Sequence, residues 1–200
     1  MKTIGIVGGI CSGKTSVARR FKDLGSGLIV VDDIVHEVLE YPEVVDQITS
    51  RFRKYDYHHT RVAKFNRVRL ANIFLKHPVE LDWVEKLTLP LVEDALISKL
   101  DRYISDIPAV ILDCPLLFEA KWDKLCDFVL YIEAPYAVRK VRYLQRSKTN
   151  KAEVFDFLEE RQWSTAKKRN YSDYVIATMN DNYPAAVEGF WKMIVEKQLK

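Results

Sequence analysis

One stretch, Gly8-Gly9-Ile10-Cys11-Ser12-Gly13-Lys14-Thr15, constrains this chain more than any other. It fits the pattern G-x-x-x-x-G-K-[ST]. Its context fits as well, because Ile4-Gly5-Ile6-Val7 reads as a strand before it and Ser16 to Phe21 as a helix after it. Glycine permits backbone conformations closed to other residues and lets N–H groups come close to a phosphate. Those N–H groups, with the positive end of the following helix, form an anion nest. Lys14 reaches the β- and γ-phosphates of a nucleoside triphosphate, and Thr15 offers a hydroxyl to Mg2+. The nucleotide-binding set is therefore Gly9, Ile10, Cys11, Ser12, Gly13, Lys14, Thr15 and Ser16. Cys11 is the unusual member. Its place near Lys14 and a helix N-terminus allows a redox or alkylation switch, but a tolerated small side chain is the simpler reading.

Short β-branched runs give the strands: Thr3–Val7, Leu28–Val31, Ala109–Asp113, Phe128–Ile132 and Tyr174–Ala177. Helical patterns fall at Lys14–Leu24, Ile34–Glu40, Asn66–Leu75, Val79–Ile104, Ala137–Gln145, Lys151–Lys168 and Pro184–Gln198. Strands alternating with helices give an α/β fold with a parallel sheet and right-handed crossovers. The gap before Ala109 is too long for one crossover and reads as a helical insertion at the sheet's carboxyl edge. At 200 residues the chain has room for one core with insertions, and 48% hydrophobic residues supply it. The net charge of +3 speaks against a polyanion-coating protein, and no apolar run is long enough to cross a membrane. The three cysteines, Cys11, Cys114 and Cys126, are too far apart for a Cys-x-x-Cys zinc site and too few for a disulfide scaffold. The start of the chain runs straight into a strand pattern, so a cytoplasmic, reduced protein is expected.

What receives a phosphoryl group is decided at the ends of neighbouring strands, where ligands bind in open α/β sheets. Leu28–Val31 leads into Asp32-Asp33, and Ala109–Leu112 leads into Asp113-Cys114-Pro115-Leu116-Leu117-Phe118-Glu119. One carboxylate there takes the proton of an acceptor hydroxyl and another holds Mg2+. Capping of the next helix is the competing role for Asp32 and Asp33. Arg139, Arg142 and Arg146 recur at spacings of three and four and share one helix face, with Lys148, Lys151, Arg161, Lys167, Lys168 and Arg169 following. Such a face either closes over phosphate oxygens or is a solvated surface. No recognition motif accompanies it, so nucleic acid is not its partner.

Five blocks together resemble the dephospho-CoA kinase family: Gly8–Ser16, Asp32 to Val38, Asp113 to Glu119, Arg139–Arg146, and Gln162 through Asp173-Tyr174-Val175-Ile176. The resemblance implies a three-layer α/β/α P-loop kinase fold in a single kinase domain. Its core would cover about 1–35, 105–138 and 165–200, a helical substrate-binding insertion about 36–104, and a helical lid about 139–164. It also implies ATP and Mg2+ as cofactors and phosphorylation of the ribose 3′-hydroxyl of dephospho-CoA. By the same likeness Asp32 is the base, four residues before His36, and Lys14, Arg142 and Arg146 act with it. Asp113 joins Thr15 as a metal ligand, and His36, Asp113, Pro115, Leu116 and Glu119 are substrate-binding. A monomer or weak homo-oligomer is expected, without nucleic acid or membrane as partner. The chain departs from the family's pattern at Val30, where Asp is frequent, at Cys11, where Gly is usual, at Leu89, where His precedes the proline, at Lys168, where Arg is expected six residues after Gln162, at Thr178, where Asn follows the last strand, and over Arg53–Leu70, which lacks the usual Asp-Gly turn. A kinase for a nucleoside or nucleotide monophosphate, or a non-catalytic nucleotide-binding regulator, would use the same loop.

The remaining distinctive residues read as packing. Ile6, Val17, Phe21, Val30, Val110, Ile111, Leu112, Phe128, Leu130, Ile132, Val175 and Ile176 form the expected core, and Phe190, Trp191 and Ile194 the buried face of the last helix. Trp83 either packs or lines a substrate channel, and His36 either packs or contacts substrate. His58-His59 lacks the partner spacing of a metal site.

Overall fold

Apolar runs buried on both faces make a parallel sheet in a computed structural model that describes residues 1–55, 67–103, 107–146, 151–179 and 182–198. The strands are β1 (Lys2–Val7), β2 (Gly27–Val30), β3 (Ala109–Asp113), β4 (Phe128–Glu133) and β5 (Tyr174–Ala177). They lie in the order β2-β3-β1-β4-β5, every pair parallel. The order in which strands are added reverses at β1, whose neighbours are β3 and β4. The loop after β1 therefore opens at the topological switch point, on the carboxyl edge where α/β sheets bind ligands. Register brings Asp113 level with Ile6 on one side and with Val30 on the other.

Two helices, α1 (Lys14–Asp23) and α9 (Tyr183–Gln198), bury one face of this sheet. Val17, Ala18 and Phe21 of α1 meet Val187, Phe190, Trp191 and Ile194 of α9 over Ile4, Ile6, Leu130 and Ile132. Phe21 stands edge-on to Phe190, with centroids 6.0 Å apart. Burying each such aromatic removes enough apolar surface to contribute roughly 2–3 kcal/mol. The helices α6 (Tyr136–Arg146), α7 (Ala152–Glu160) and α8 (Thr165–Asn170) lie between β4 and β5 in the chain. The architecture is the three-layer α/β/α fold.

The chain divides into two compact units, Met1–Val30 with Lys99–Lys200, and Val31–Ser98. The second unit holds α2 (Val31–Leu39), α3 (Pro42–Phe52), α4 (Arg67–Lys76) and most of α5 (Pro78–Asp101). Apolar residues one turn apart make its core: Ile34 and Val38, then Val44, Ile48 and Phe52. On α5 the buried stripe runs Glu80, Val84, Thr88, Val92, Leu96, so a carboxylate occupies an apolar register position. Three donors meet it there. Arg51 Nε lies 2.5 Å from one oxygen, and Lys54 Nζ and Tyr55 Oη lie 2.7 and 3.0 Å from the other. Arg51 also stacks its guanidinium 4.5 Å from the ring centroid of Trp83, which is half-buried in packing with Phe52.

Several sequence expectations differ from this structure. Helix α3 was not foreseen, because Glu40-Tyr41-Pro42 ends one pattern and Pro42 itself begins the next helix at its first turn, where a missing N–H costs nothing. Lys151–Lys168 is not one helix. It breaks after Glu160, and the Ser164 hydroxyl accepts from Lys167 N–H as the N-cap of α8. Helix α2 begins at Val31, so Asp32 and Asp33 lie in its first turn rather than at its cap. Val175 is 40% exposed because β5 is an edge strand, and Val30 and Phe128 are half-buried. His58, His59 and Lys148 lie outside the described residues.

Burial by itself raises the Glu80 carboxyl, but hydrogen bonds from Lys54, Arg51 and Tyr55 outweigh it and hold it at about 2, below its ordinary 4.5. A carboxylate depressed in the folded state adds stability that is present above pH 4.5 and is lost as pH falls toward 2. The Glu80→Gln variant is expected to have a lower urea midpoint at pH 7 and a flatter loss of stability between pH 5 and pH 2, measured by urea unfolding across that range.

Candidate active site

The phosphate loop is held by its own carbonyls, every one of which from Gly8 to Gly13 accepts a hydrogen bond from the protein. Lys14 Nζ donates to Gly8 O and Gly9 O at 3.1 and 3.0 Å. Arg139 reaches Ile10 O at 3.4 Å and Arg142 reaches Cys11 O at 3.5 Å. The Thr178 hydroxyl donates to Ser12 O at 2.5 Å, and Ser16 and Val17 N–H close on Gly13 O. All peptide bonds among the described residues are trans. In a planar trans peptide the N–H points opposite to the C=O, so engaging the carbonyls turns the following amides the other way. Amides turned away from the protein in this way are what an anion nest requires.

Two backbone positions show what this shape demands. Gly13 has φ +99°, and a Cβ there would lie 3.2 Å from the Thr178 side chain. Cys11 adopts φ +57° without being glycine, a left-handed conformation that costs about 1 kcal/mol. This is the position where the resembling family usually carries glycine, and the conformation gives the physical reason for that preference. A Cβ on Gly9 would run into the Arg139 guanidinium.

Thr15 and Asp113 meet at the mouth of the loop. Thr15 Oγ1 donates to Asp113 Oδ2 at 2.9 Å, the hydroxyl from the first turn of α1 and the carboxylate from the end of β3. Asp113 is only 4% exposed. A hydroxyl and a carboxylate side by side are the hard oxygen donors that suit Mg2+, and their place beside a phosphate nest matches how the ion is held next to a nucleotide.

The three arginines of α6 share a face but not an environment. Arg139 is 2% exposed and paired through both terminal nitrogens with Glu159 of α7, at 2.7 and 2.5 Å, while its Nε donates to Ala134 O. Arg142 is half-buried and donates to Thr178 O at 2.9 Å. Arg146 is exposed at the end of the helix. Arg139 thus stands as an internal brace between loop and α7.

Beyond β3, the segment with Pro115, Leu116 and Glu119 is tied to α8. Lys168 is fully buried and donates to Pro115 O at 2.6 Å and Gln162 Oε1 at 2.9 Å, and pairs with Glu119 at 3.0 Å. Burial holds the Lys168 ammonium below its ordinary range, with Glu119 offsetting part of the effect. Glu119 also accepts from Trp163 N–H at 2.7 Å, and its second oxygen is buried without a partner among the described residues. Lys168, which the sequence left open between a face that closes over phosphate and a solvated one, is a core residue instead. Lys151 and Arg169 are exposed, and Lys167 lies 3.2 Å from the ring centroid of Trp163. In the other unit, Asp32 is exposed and His36 half-buried one turn further along the same helix, so the two share a face of α2.

Two residues of the site escaped the sequence. Thr178 was noted there only as a departure, although its place just past a parallel strand was a signal. Glu159 carried none, being one acidic residue among several on an ordinary helix.

A family model described as dephospho-CoA kinase matches residues 2–183. A dephospho-CoA kinase of Bartonella quintana is 31% identical over 182 residues, covering 90% of this chain and 91% of that protein. One of Dehalococcoides mccartyi is 40% identical over 136 residues, 68% of each chain. Among solved structures, a dephospho-CoA kinase from Campylobacter jejuni superimposes with a TM-score of 0.71 at 19% identity, covering 98% of both chains, a likeness of fold.

A Mg2+ site at the Thr15–Asp113 pair would make nucleotide binding depend on that ion. For Thr15→Ala, the Mg2+ concentration giving half-maximal binding of a fluorescent ATP analogue is expected to rise about tenfold, the equivalent of one lost ligand contact of roughly 1.4 kcal/mol. Thr15→Ser is expected to restore it.

Proposed function

The chain belongs to the dephospho-CoA kinase family, and on that footing we propose how its own residues divide the work of ATP-dependent phosphoryl transfer to the ribose 3′-hydroxyl of dephospho-CoA. The observation that carries the assignment of roles is the Thr15–Asp113 hydrogen bond beside a phosphate loop whose carbonyls are all engaged.

Lys14 and the loop from Gly9 to Ser16 hold the donor phosphates. The Lys14 ammonium is already against the loop, buried and held by two of its carbonyls, so little reorganisation is needed when phosphates arrive. Thr15 and Asp113 would hold Mg2+, which would supply neutralisation of the phosphate charge. Asp32 orients the ribose hydroxyl and accepts its proton, with His36 beside it on the same helix face. Arg142 and Arg146 neutralise charge that develops on the transferred group. Arginine suits this because its planar fork is permanently charged. Arg142 now rests on the carbonyls of Cys11 and Thr178, next to the loop, and Arg146 lies one helical turn beyond. Pro115, Leu116 and Glu119 join His36 and Asp113 on the acceptor side. The anchoring of that segment by Lys168 supports a rigid wall there.

The three cysteines are free thiols, which supports a cytoplasmic protein, and no helix among the described residues is long and apolar enough to cross a membrane. A monomer or weak homo-oligomer acting on small molecules, without nucleic acid, completes the reading.

ADP release from ATP·Mg2+ is expected to be strongly stimulated by dephospho-CoA, with 31P NMR locating the new phosphate on the 3′ position. Absence of stimulation with ATP binding intact would remove the acceptor. Asp32→Ala is expected to lower turnover about 10²–10⁴-fold and to leave ATP affinity within about twofold. Turnover at the wild-type rate would remove Asp32 as the base.

A further inference from the structure

We propose that Thr178 is a positioning residue that sets the phosphate loop for nucleotide binding and docks Arg142 against it. This deepens the function proposed above and rests only on its ATP-binding half.

Thr178 follows β5 and is 8% exposed. Its backbone is fixed by Thr178 N–H donating to Glu133 O at 3.0 Å, at the end of β4. From that rigid edge it makes contacts in two directions. Its hydroxyl donates to Ser12 O at 2.5 Å. Its own carbonyl accepts from Arg142 Nη2 at 2.9 Å, while Arg142 Nη1 lies 3.4 Å from the Thr178 hydroxyl and 3.5 Å from Cys11 O. One residue thus links the end of the sheet, the loop and the lid helix.

The link to Ser12 has a directional consequence. The Ser12–Gly13 peptide is planar and trans, so a hydrogen bond that holds Ser12 O toward Thr178 holds Gly13 N–H away from it. Gly13 N–H belongs to the nest that receives phosphate. Gly13 is the loop's second left-handed position, at φ +99°, and as a glycine it has many backbone alternatives. A clamp on the peptide that precedes it therefore removes freedom the free loop would otherwise lose on binding. The fit is close, since the Thr178 methyl and hydroxyl lie 3.2 Å from where a Gly13 Cβ would stand. Arg142 is placed by the same residue, so the cation assigned to transferring phosphate is held at loop height before nucleotide enters.

The test uses the full chain and calorimetric binding of ATP·Mg2+ without any acceptor, so that the outcome does not depend on which molecule is phosphorylated. Thr178→Val keeps the shape and removes the donor, and Thr178→Ser keeps the donor. Val is expected to weaken ATP binding about fivefold to tenfold, the scale of one buried hydrogen bond, with Ser within about twofold of wild type. In steady-state assays the loss should fall on the KM for ATP and on kcat, with the KM for dephospho-CoA unmoved. If Val lowers the melting temperature but binds ATP within twofold of wild type, or if Ser is as weak as Val, the proposal is wrong. Should Thr178→Val not fold, Thr178→Ala is read by the same criteria.

Discussion

The active site depends on where the carbonyls of one loop point. Six consecutive peptide groups after β1 turn their oxygens onto Lys14, Ser12, Arg139, Arg142, Thr178 and the start of α1. A polar backbone group that is buried must be paired, so these bonds are obligatory rather than decorative. The partners of the middle three, Ile10, Cys11 and Ser12, come from far along the chain, on α6 and at the end of β5, so that part of the loop takes its shape only once the sheet is complete. The sheet in turn puts that loop at its centre, between β3 and β4, where strand order reverses.

Around the loop the cations are sorted by burial. Arg139 and Lys168 are inside and paired with Glu159 and Glu119, Arg142 is intermediate, and Arg146 is at the surface. A buried cation needs a fixed counter-charge, so the first two are bound up in holding segments together. An exposed arginine at a helix end keeps its freedom to move and its full charge for a ligand. Which of these cations brace the fold follows from desolvation.

Much of this was legible before any coordinates. Gly8 to Thr15 between an apolar strand and an amphipathic helix states both its conformation and its use. Asp113 at the end of a run of Ala, Val, Ile and Leu was correctly a strand-end carboxylate, and it does meet Thr15. The last helix buries Phe190, Trp191 and Ile194 as their spacing requires. Other features were not legible. Periodicity puts Arg139, Arg142 and Arg146 on one face, but it says nothing about what lies over each end of that face. The Trp163-Ser164 break between α7 and α8 was hidden by apolar spacing that continues across it. Glu80 sits in a stripe of Val, Thr and Leu, and only the approach of Arg51, Lys54 and Tyr55 from α3 and the turn after it makes a carboxylate tolerable there.

The strands, the phosphate loop and the carboxylate that ends β3 were determined by the sequence alone, because each follows from residues adjacent in the chain. The roles of Thr178, Arg139 and Lys168 were decided only by the tertiary structure. Each acts on a residue between 53 and 166 positions away, and such a contact exists only once strands distant in sequence have paired. Cys11 shows the boundary between the two. The sequence names the residue, while the left-handed backbone it must adopt comes from the carbonyl pattern imposed on the whole loop.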